Sequence, residues 1–192
     1  MGNKLRVRLG SGSFTKQIRG MMKLPPYHFS VIMGLLLSDA WVSFASYTTL
    51  NARLGFKQSL AHSEYLWLVF FILAPYCSSY PRFIKSSING TQFYALEFQT
   101  RSLPCFTVLH SLFYVNKVKV IPDNIYAFLS PIALAHLIMG DGSVSKHGLV
   151  LCTNCYTLSD VVRLMNVLVI RYRLECTLWS DKRNNDKIAS RR

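Results

Sequence analysis

Two nearly uncharged apolar segments, each closed by an aspartate, constrain this chain more than any other feature. Leu35-Leu36-Leu37-Ser38-Asp39-Ala40 recurs as Leu137-Ile138-Met139-Gly140-Asp141-Gly142, and the strand-then-helix pattern that starts at Leu54 recurs from Leu149. A repeat of this size implies two pseudo-symmetric halves. A carboxylate at the end of an apolar helix is costly. It loses hydration unless something satisfies it, and the helix dipole disfavours an anion at the C-terminal end. One such Asp reads most simply as a turn former. Two at the same place in a repeat argue for a shared task. If the two helices pack about a pseudo-two-fold axis, the carboxylates converge and need a cation between them. Hard oxygen ligands suit Mg²⁺.

The rest of the chain is organised around these segments. Ser30–Leu37 and Ile132–Met139 read as short buried helices. Each leads into a hairpin: Ala40 to Lys57 in the first half, Gly142 to Thr153 in the second. In the first, Leu54 and Phe56 alternate with Arg53 and Lys57, the period of a half-buried sheet. A helix capped near Ser63 runs to about Pro75, and its Trp67, Phe70, Phe71 and Leu73 read as core. A second hairpin pairs Arg82–Ile88 with Gln92–Arg101 across Asn89-Gly90, a strong turn signal. Cys105–Val115 resumes helical spacing. In the second half a helix capped by Thr157 or Ser159 runs to about Arg171, and Glu175–Trp179 resembles a strand.

Charge narrows the partners. Against 22 Lys and Arg stand 9 Asp and Glu, a formal charge of +13, which points to a polyanion. Lys4, Arg6, Arg8, Lys16, Arg19 and Lys23 precede any acid, so the N-terminus reads either as a mitochondrial presequence or as a basic arm on a nucleic-acid binder. With 51% hydrophobic residues the chain is not globally disordered. The longest apolar runs, 65–76 and 128–140, fall short of the roughly 18 residues a spanning helix needs, so no membrane is expected. Cys77, Cys105, Cys152, Cys155 and Cys176 are odd in number and scattered, which argues for thiols. Cys152-Thr-Asn-Cys155 has no second ligand pair for zinc and reads as a strand end.

The two segments, Ile32 to Ala40 and Leu134 to Gly142, resemble the LAGLIDADG motif. Their separation resembles that of the monomeric, two-motif homing endonucleases encoded in organellar introns. Phe56-Lys-Gln-Ser59 with Ser63-Glu-Tyr65, Phe98-Gln-Thr-Arg-Ser102, and Phe113-Tyr114 with Lys117-Val-Lys-Val-Ile-Pro122 look like the same subfamily. The resemblance covers about Tyr27 to Trp179. It implies an α+β fold of two αββαββ-type repeats whose antiparallel sheets form a saddle over the DNA major groove. The boundaries are a basic arm at 1–26, a first repeat at 27–130, a second at 131–179 and a polar tail at 180–192. Gly34, Ser38, Ala135 and Gly140 would supply small side chains where the motif helices approach.

The resemblance further implies that Asp39 and Asp141, with the carbonyls of Ser38 and Gly140, bind divalent metal and hydrolyse one phosphodiester on each strand of double-stranded DNA. By motif position Gln58 and Lys119 would order the water, with Thr153 or Asn154 opposite Gln58. Arg53, Lys57, Arg82, Lys85, Gln92, Gln99, Arg101 and Lys146 are the outward polar strand residues expected to read bases or clamp phosphates. A monomer acting in the mitochondrion follows from the same resemblance. The match departs at two places. Ala40 stands where a glycine usually follows the acid, and the second half is short, so its sheet is expected to lack a strand. The alternatives are a maturase that binds its own intron RNA on the same scaffold, and an inactive truncated remnant.

Overall fold

The computed structural model describes residues 14–88, 90–145, 148–180 and 186–191. They fall into two units. One takes in the stretch up to Leu24 together with Asp39–His110, and the other takes in Pro25–Ser38 and Ser111–Arg192. In chain order the elements are α1 (Lys16–Met21), α2 (Pro26–Leu37), β1 (Trp41–Phe44), β2 (Ala52–Ser59), α3 (Ser63–Leu73), β3 (Arg82–Ile88), β4 (Thr91–Gln99) and α4 (Pro104–Phe113). There follow β5 (Tyr114–Val115), β6 (Val118–Lys119), α5 (Ile125–Phe128), α6 (Pro131–Asp141), β7 (Gly142–Ser145), β8 (Gly148–Cys152), α7 (Leu158–Tyr172), β9 (Cys176–Ser180) and β10 (Asp186–Arg191). No helix among the described residues is long and apolar enough to cross a membrane.

In the first unit the strands pair antiparallel in the order β1-β2-β4-β3. Alternation in β2 sends Leu54 and Phe56 to one face, where both are fully buried. Helix α3 covers that face through Leu66, Val69, Phe70 and Leu73. The Phe56 ring meets those of Tyr65 and Phe98 edge-on at 5.7 and 5.9 Å, and Phe70 meets Phe98 at 5.4 Å. Phe71 does not join this core. It lies about 100° around the helix from Phe70 and is 68% exposed, which corrects its assignment to the packed stripe. Thr107 of α4 ties the sheet edge, its Oγ1 accepting from the Ala52 amide at 3.0 Å.

The second unit holds a sheet of the same design, ordered β7-β8-β10-β9. This corrects the expectation of a missing strand: the stretch read as a polar tail supplies β10, which pairs with both β8 and β9. The signal was hidden because Ile188, fully buried opposite Leu151, is the one large apolar residue of a short stretch that reads Asp-Lys-Ile-Ala-Ser-Arg. Helix α7 packs here through Val161, Leu164, Val167 and Leu168. Its N-cap is Thr157, whose hydroxyl accepts from the Asp160 amide at 3.3 Å. Thr157→Ala is expected to cost about 1 kcal/mol of stability, read as a lower urea midpoint at unchanged slope.

The two motif helices, α2 and α6, belong to this unit and pack tightly. A Cβ built on Gly34 would lie 2.2 Å from the Ala133 carbonyl oxygen and 2.7 Å from the His136 Cβ. Only glycine allows such an approach. Of the expected small residues, Gly34 lies at the contact, against Ala133 and His136.

Ala40 proves harmless for a related reason. Positive φ among described residues occurs at Asn116, Lys117, Arg173, Gly90 and Gly148, and neither Ala40 nor Gly142 is among them. Gly142 is extended, at φ −83° and ψ 140°, and is required by space, since a Cβ there would sit 2.4 Å from the Ile138 carbonyl.

Candidate functional site

Asp39 stands directly after α2. Ser38 has left helical angles, and its hydroxyl donates back to the Gly34 and Leu35 carbonyls at 3.1 and 3.3 Å. The Asp39 carboxylate is exposed. Gln58, near the end of β2, donates its amide N–H to Asp39 Oδ2 at 2.6 Å. Tyr65, in the first turns of α3, feels the same anion: burial first, then Asp39, pushes its phenol above the ordinary range. The carboxylate is thus held on one side by a neutral donor and by no cation of its own hairpin. Its remaining lone pairs suit a hard cation.

Asp141 ends α6 and is half-buried. Its surroundings differ. Burial pushes the Cys155 thiol up, while Lys119 lowers it and Asp141 raises it, so both charges act on this thiol. Tyr156 is buried and donates to the Leu37 and Leu36 carbonyls at 3.1 and 3.4 Å, satisfying two carbonyls at the end of α2. Burial, and then Cys155 and Asp141, push its phenol far up. Strand register identifies the counterpart of Gln58. Trp41 pairs with Gly55, and Ser143, in the same place after its aspartate, pairs with Val150. Three residues on from each partner lie Gln58 and Thr153, and Thr153 is 2% exposed. One acid therefore has a glutamine beside it, and the other has a thiol nearby.

Lys119, on β6, donates its ammonium to the Ser38 carbonyl at 2.9 Å. A carbonyl expected to ligate metal thus already faces a cation. Among the described residues no group of three or more His, Cys, Asp or Glu could enclose an ion. A divalent ion here would draw a single carboxylate and a carbonyl from the chain and fill its shell from water and phosphate. That is how Mg²⁺ binds, since it keeps several waters and favours one or two carboxylates plus substrate phosphates. The donor set fits.

The first sheet turns a polar face away from α3. Pairings of Ser43 with Arg53, Gly55 with Gln99, Lys57 with Glu97 and Arg82 with Glu97 put Arg53, Lys57, Arg82 and Gln99 on it together. Lys85 and Gln92 lie on the opposite face, with Phe83 and Tyr94, because they fall at the other parity of the same hairpin. Lys85 stands over the Tyr94 ring at 5.8 Å. Arg101 lies beyond β4, its guanidinium stacked on Phe14 at 4.3 Å. Lys146 is outside the described residues. These placements divide a set that the sequence treated as one outward surface.

Glu97 was missed, although its spacing from Gln99 assigns it to this face. It is 8% exposed and binds Arg82 at 2.6 Å and the Gln99 amide at 2.9 Å, so an acid organises two of the expected readers. Glu97→Ala is expected to cost about 1 kcal/mol in thermal unfolding, a discounted figure because Arg82 is largely exposed.

Comparison with known proteins adds to this geometry. The model of the LAGLIDADG DNA endonuclease family matches residues 29–191. The chain is 36% identical over 132 residues to the cytochrome b mRNA maturase bI2 of Debaryomyces hansenii, a match covering 67% of this chain and 50% of the maturase. The chain therefore spans about half the length of that relative. It is 24% identical over 185 residues to the DNA endonuclease I-ChuI of Chlamydomonas applanata, covering 88% of this chain and 84% of that protein. The homing endonuclease I-WcaI bound to its DNA recognition sequence has the same fold, with a TM-score of 0.85 at 22% identity over 95% of this chain and 85% of the other.

Proposed function

The chain belongs to the LAGLIDADG DNA endonuclease family, and from that premise we propose that it is a divalent-metal-dependent nuclease that cuts both strands of a specific DNA duplex. The hydrogen bond from Gln58 to Asp39, at the start of a sheet whose open face bears Arg53, Lys57 and Arg82, is the observation that carries this reading. Asp39 with the Ser38 carbonyl, and Asp141 with that of Gly140, would each hold a divalent ion, Mg²⁺ by its chemistry. Bound there, it would activate water and stabilise the leaving oxygen. Gln58 orients the Asp39 carboxylate and presents its amide to solvent ordered nearby. Lys119, donating to the Ser38 carbonyl, would supply positive charge as the phosphate acquires negative charge.

Arg53, Lys57, Arg82 and Gln99 would contact base edges and phosphates from one face, with Glu97 fixing the Arg82 and Gln99 side chains. Lys85, Gln92, Arg101 and Lys146 are proposed as phosphate contacts alone. With two acid sites in one chain, a monomer suffices. Similarity to a cytochrome b mRNA maturase supports an organellar, mitochondrial setting.

That similarity also favours a second reading, a maturase that binds its intron RNA without cutting DNA. The test is incubation of supercoiled plasmid carrying the intron-insertion site of the host gene, with Mg²⁺ and with EDTA. Linear product that appears only with metal is the expected result. Folded protein that leaves the site intact yet retains intron RNA would overturn the nuclease and establish the second reading.

A further inference from the structure

The face of the second sheet that carries Ser143 and Val150 opens on a trough of about 500 Å³ lined by Asp141, Ser143, Ser145, Cys152, Trp179 and Lys187. Cys152 pairs with Lys187, and Lys187 with Trp179, so the three side chains form one row across the strands. The matching row of the first sheet is identified by the common strand order and by the correspondence of Leu54 with Leu149. It runs Lys57, Glu97, Arg82. Where the first sheet presents a cation, an acid and an arginine fork, the second presents a thiol, a lysine and an indole.

Trp179 is 52% exposed, and Lys187 Nζ lies 5.3 Å from its ring centroid. This indole is no part of the core, which the same sheet builds on its other face through Leu151 and Ile188. An indole has one donor and no acceptor, so it reads base edges poorly. What it offers is a flat apolar face of the right kind to stack on a planar base. Duplex DNA shows only the edges of its bases in the grooves, whereas an unpaired nucleotide exposes its ring face.

We propose that this trough binds an unpaired nucleobase of a single-stranded polynucleotide, stacked on Trp179 with its phosphate on Lys187. Ser143 donates to the Val150 carbonyl at 3.4 Å, which leaves its oxygen lone pairs to accept from a base or sugar hydroxyl. The net charge of +13 supplies the general attraction, and the row supplies the preference for unpaired over paired strands. The inference rests on the chain being a nucleic-acid-binding protein, and it names the form that the second sheet takes.

The test measures dissociation constants by fluorescence anisotropy for the full chain with a single-stranded RNA, a single-stranded DNA of the same sequence and the corresponding DNA duplex. Trp179→Leu is expected to weaken single-strand binding about 5- to 100-fold while changing duplex binding less than about twofold, and Trp179→Phe to retain most of the affinity. Lys187→Gln should lower the salt dependence of single-strand binding by about one phosphate contact. A tighter grip on RNA than on single-stranded DNA would assign the natural ligand to RNA, and the reverse to a melted DNA strand. Equal losses on single strands and duplex, or no loss on single strands, would overturn the proposal while leaving a nucleic-acid-binding protein. Wild type that binds none of the three would remove both readings together. Because Trp179 is exposed, unchanged thermal unfolding of the variants is the expected control.

Discussion

Asp39→Asn is expected to slow DNA cleavage about a thousandfold or more while leaving duplex affinity within about twofold. Asparagine keeps the shape of the side chain, and its carbonyl still accepts the Gln58 amide that Asp39 Oδ2 accepts at 2.6 Å. What it loses is the negative charge, and with it the hard anionic oxygen that a divalent ion requires. Metal stabilisation of a phosphoryl transition state amounts to several kcal/mol, and each 1.4 kcal/mol is about tenfold in rate. Single-turnover cleavage at saturating protein, beside a binding titration, separates the two effects. A variant that cuts at the wild-type rate would remove Asp39 from the chemistry. Asp141→Asn should behave alike, and it carries a second readout. Asp141 raises the Cys155 pKa, so its neutralisation lowers that pKa and speeds thiol modification at a fixed pH near 8, without reference to any activity.

Sequence reading reached the motif helices through their repeat and their nearly unbroken apolar runs, and most strands through alternation and turn signals. Alternation of Arg53 and Lys57 with Leu54 and Phe56 decided the face of β2 correctly, and the register of β1 with β2 follows it. The polar strand β10 escaped, since one large apolar residue, Ile188, gives no period to detect. The short α5 and the two-residue strands β5 and β6 escaped for the same reason: elements so brief carry no periodicity of their own.

Site residues were legible to different degrees. Asp39 with Gln58 was implied by the family resemblance, through motif position, and the structure joins them by a hydrogen bond. The asymmetry of the second acid was not. Lys119 reaches the Ser38 carbonyl across a long sequence separation, which no local pattern encodes. The resemblance treats the polar residues of the β3–β4 hairpin as one outward surface. Parity divides them, since Arg82 and Lys85 are an odd number of residues apart. Glu97 was passed over because attention to excess base hides an acid that organises it.

The largest stability loss is expected from Gly34→Ala. The added methyl would sit 2.2 Å from a backbone carbonyl oxygen of α6, an atom that cannot swing aside as a flexible side chain would. Relief requires α2 and α6 to move apart. Val31, Ile32, Leu35 and Leu36 on α2, and Ala133 and Leu137 on α6, are all buried, so separation breaks packing along both helices. Overpacking of this kind costs about 3 kcal/mol, the upper end of its usual range, and the urea midpoint should fall by about 1–2 M. Gly20→Ala is the matched control, since a Cβ there meets nothing within 4 Å. It should be neutral or slightly stabilising, because alanine favours the helix in which Gly20 lies. If both variants unfold at the wild-type midpoint, the motif helices do not pack as closely as Gly34 requires. If Gly34→Ala alone is lost, the small residue in the first motif is there for helix contact, and the acid that follows inherits its position from that contact.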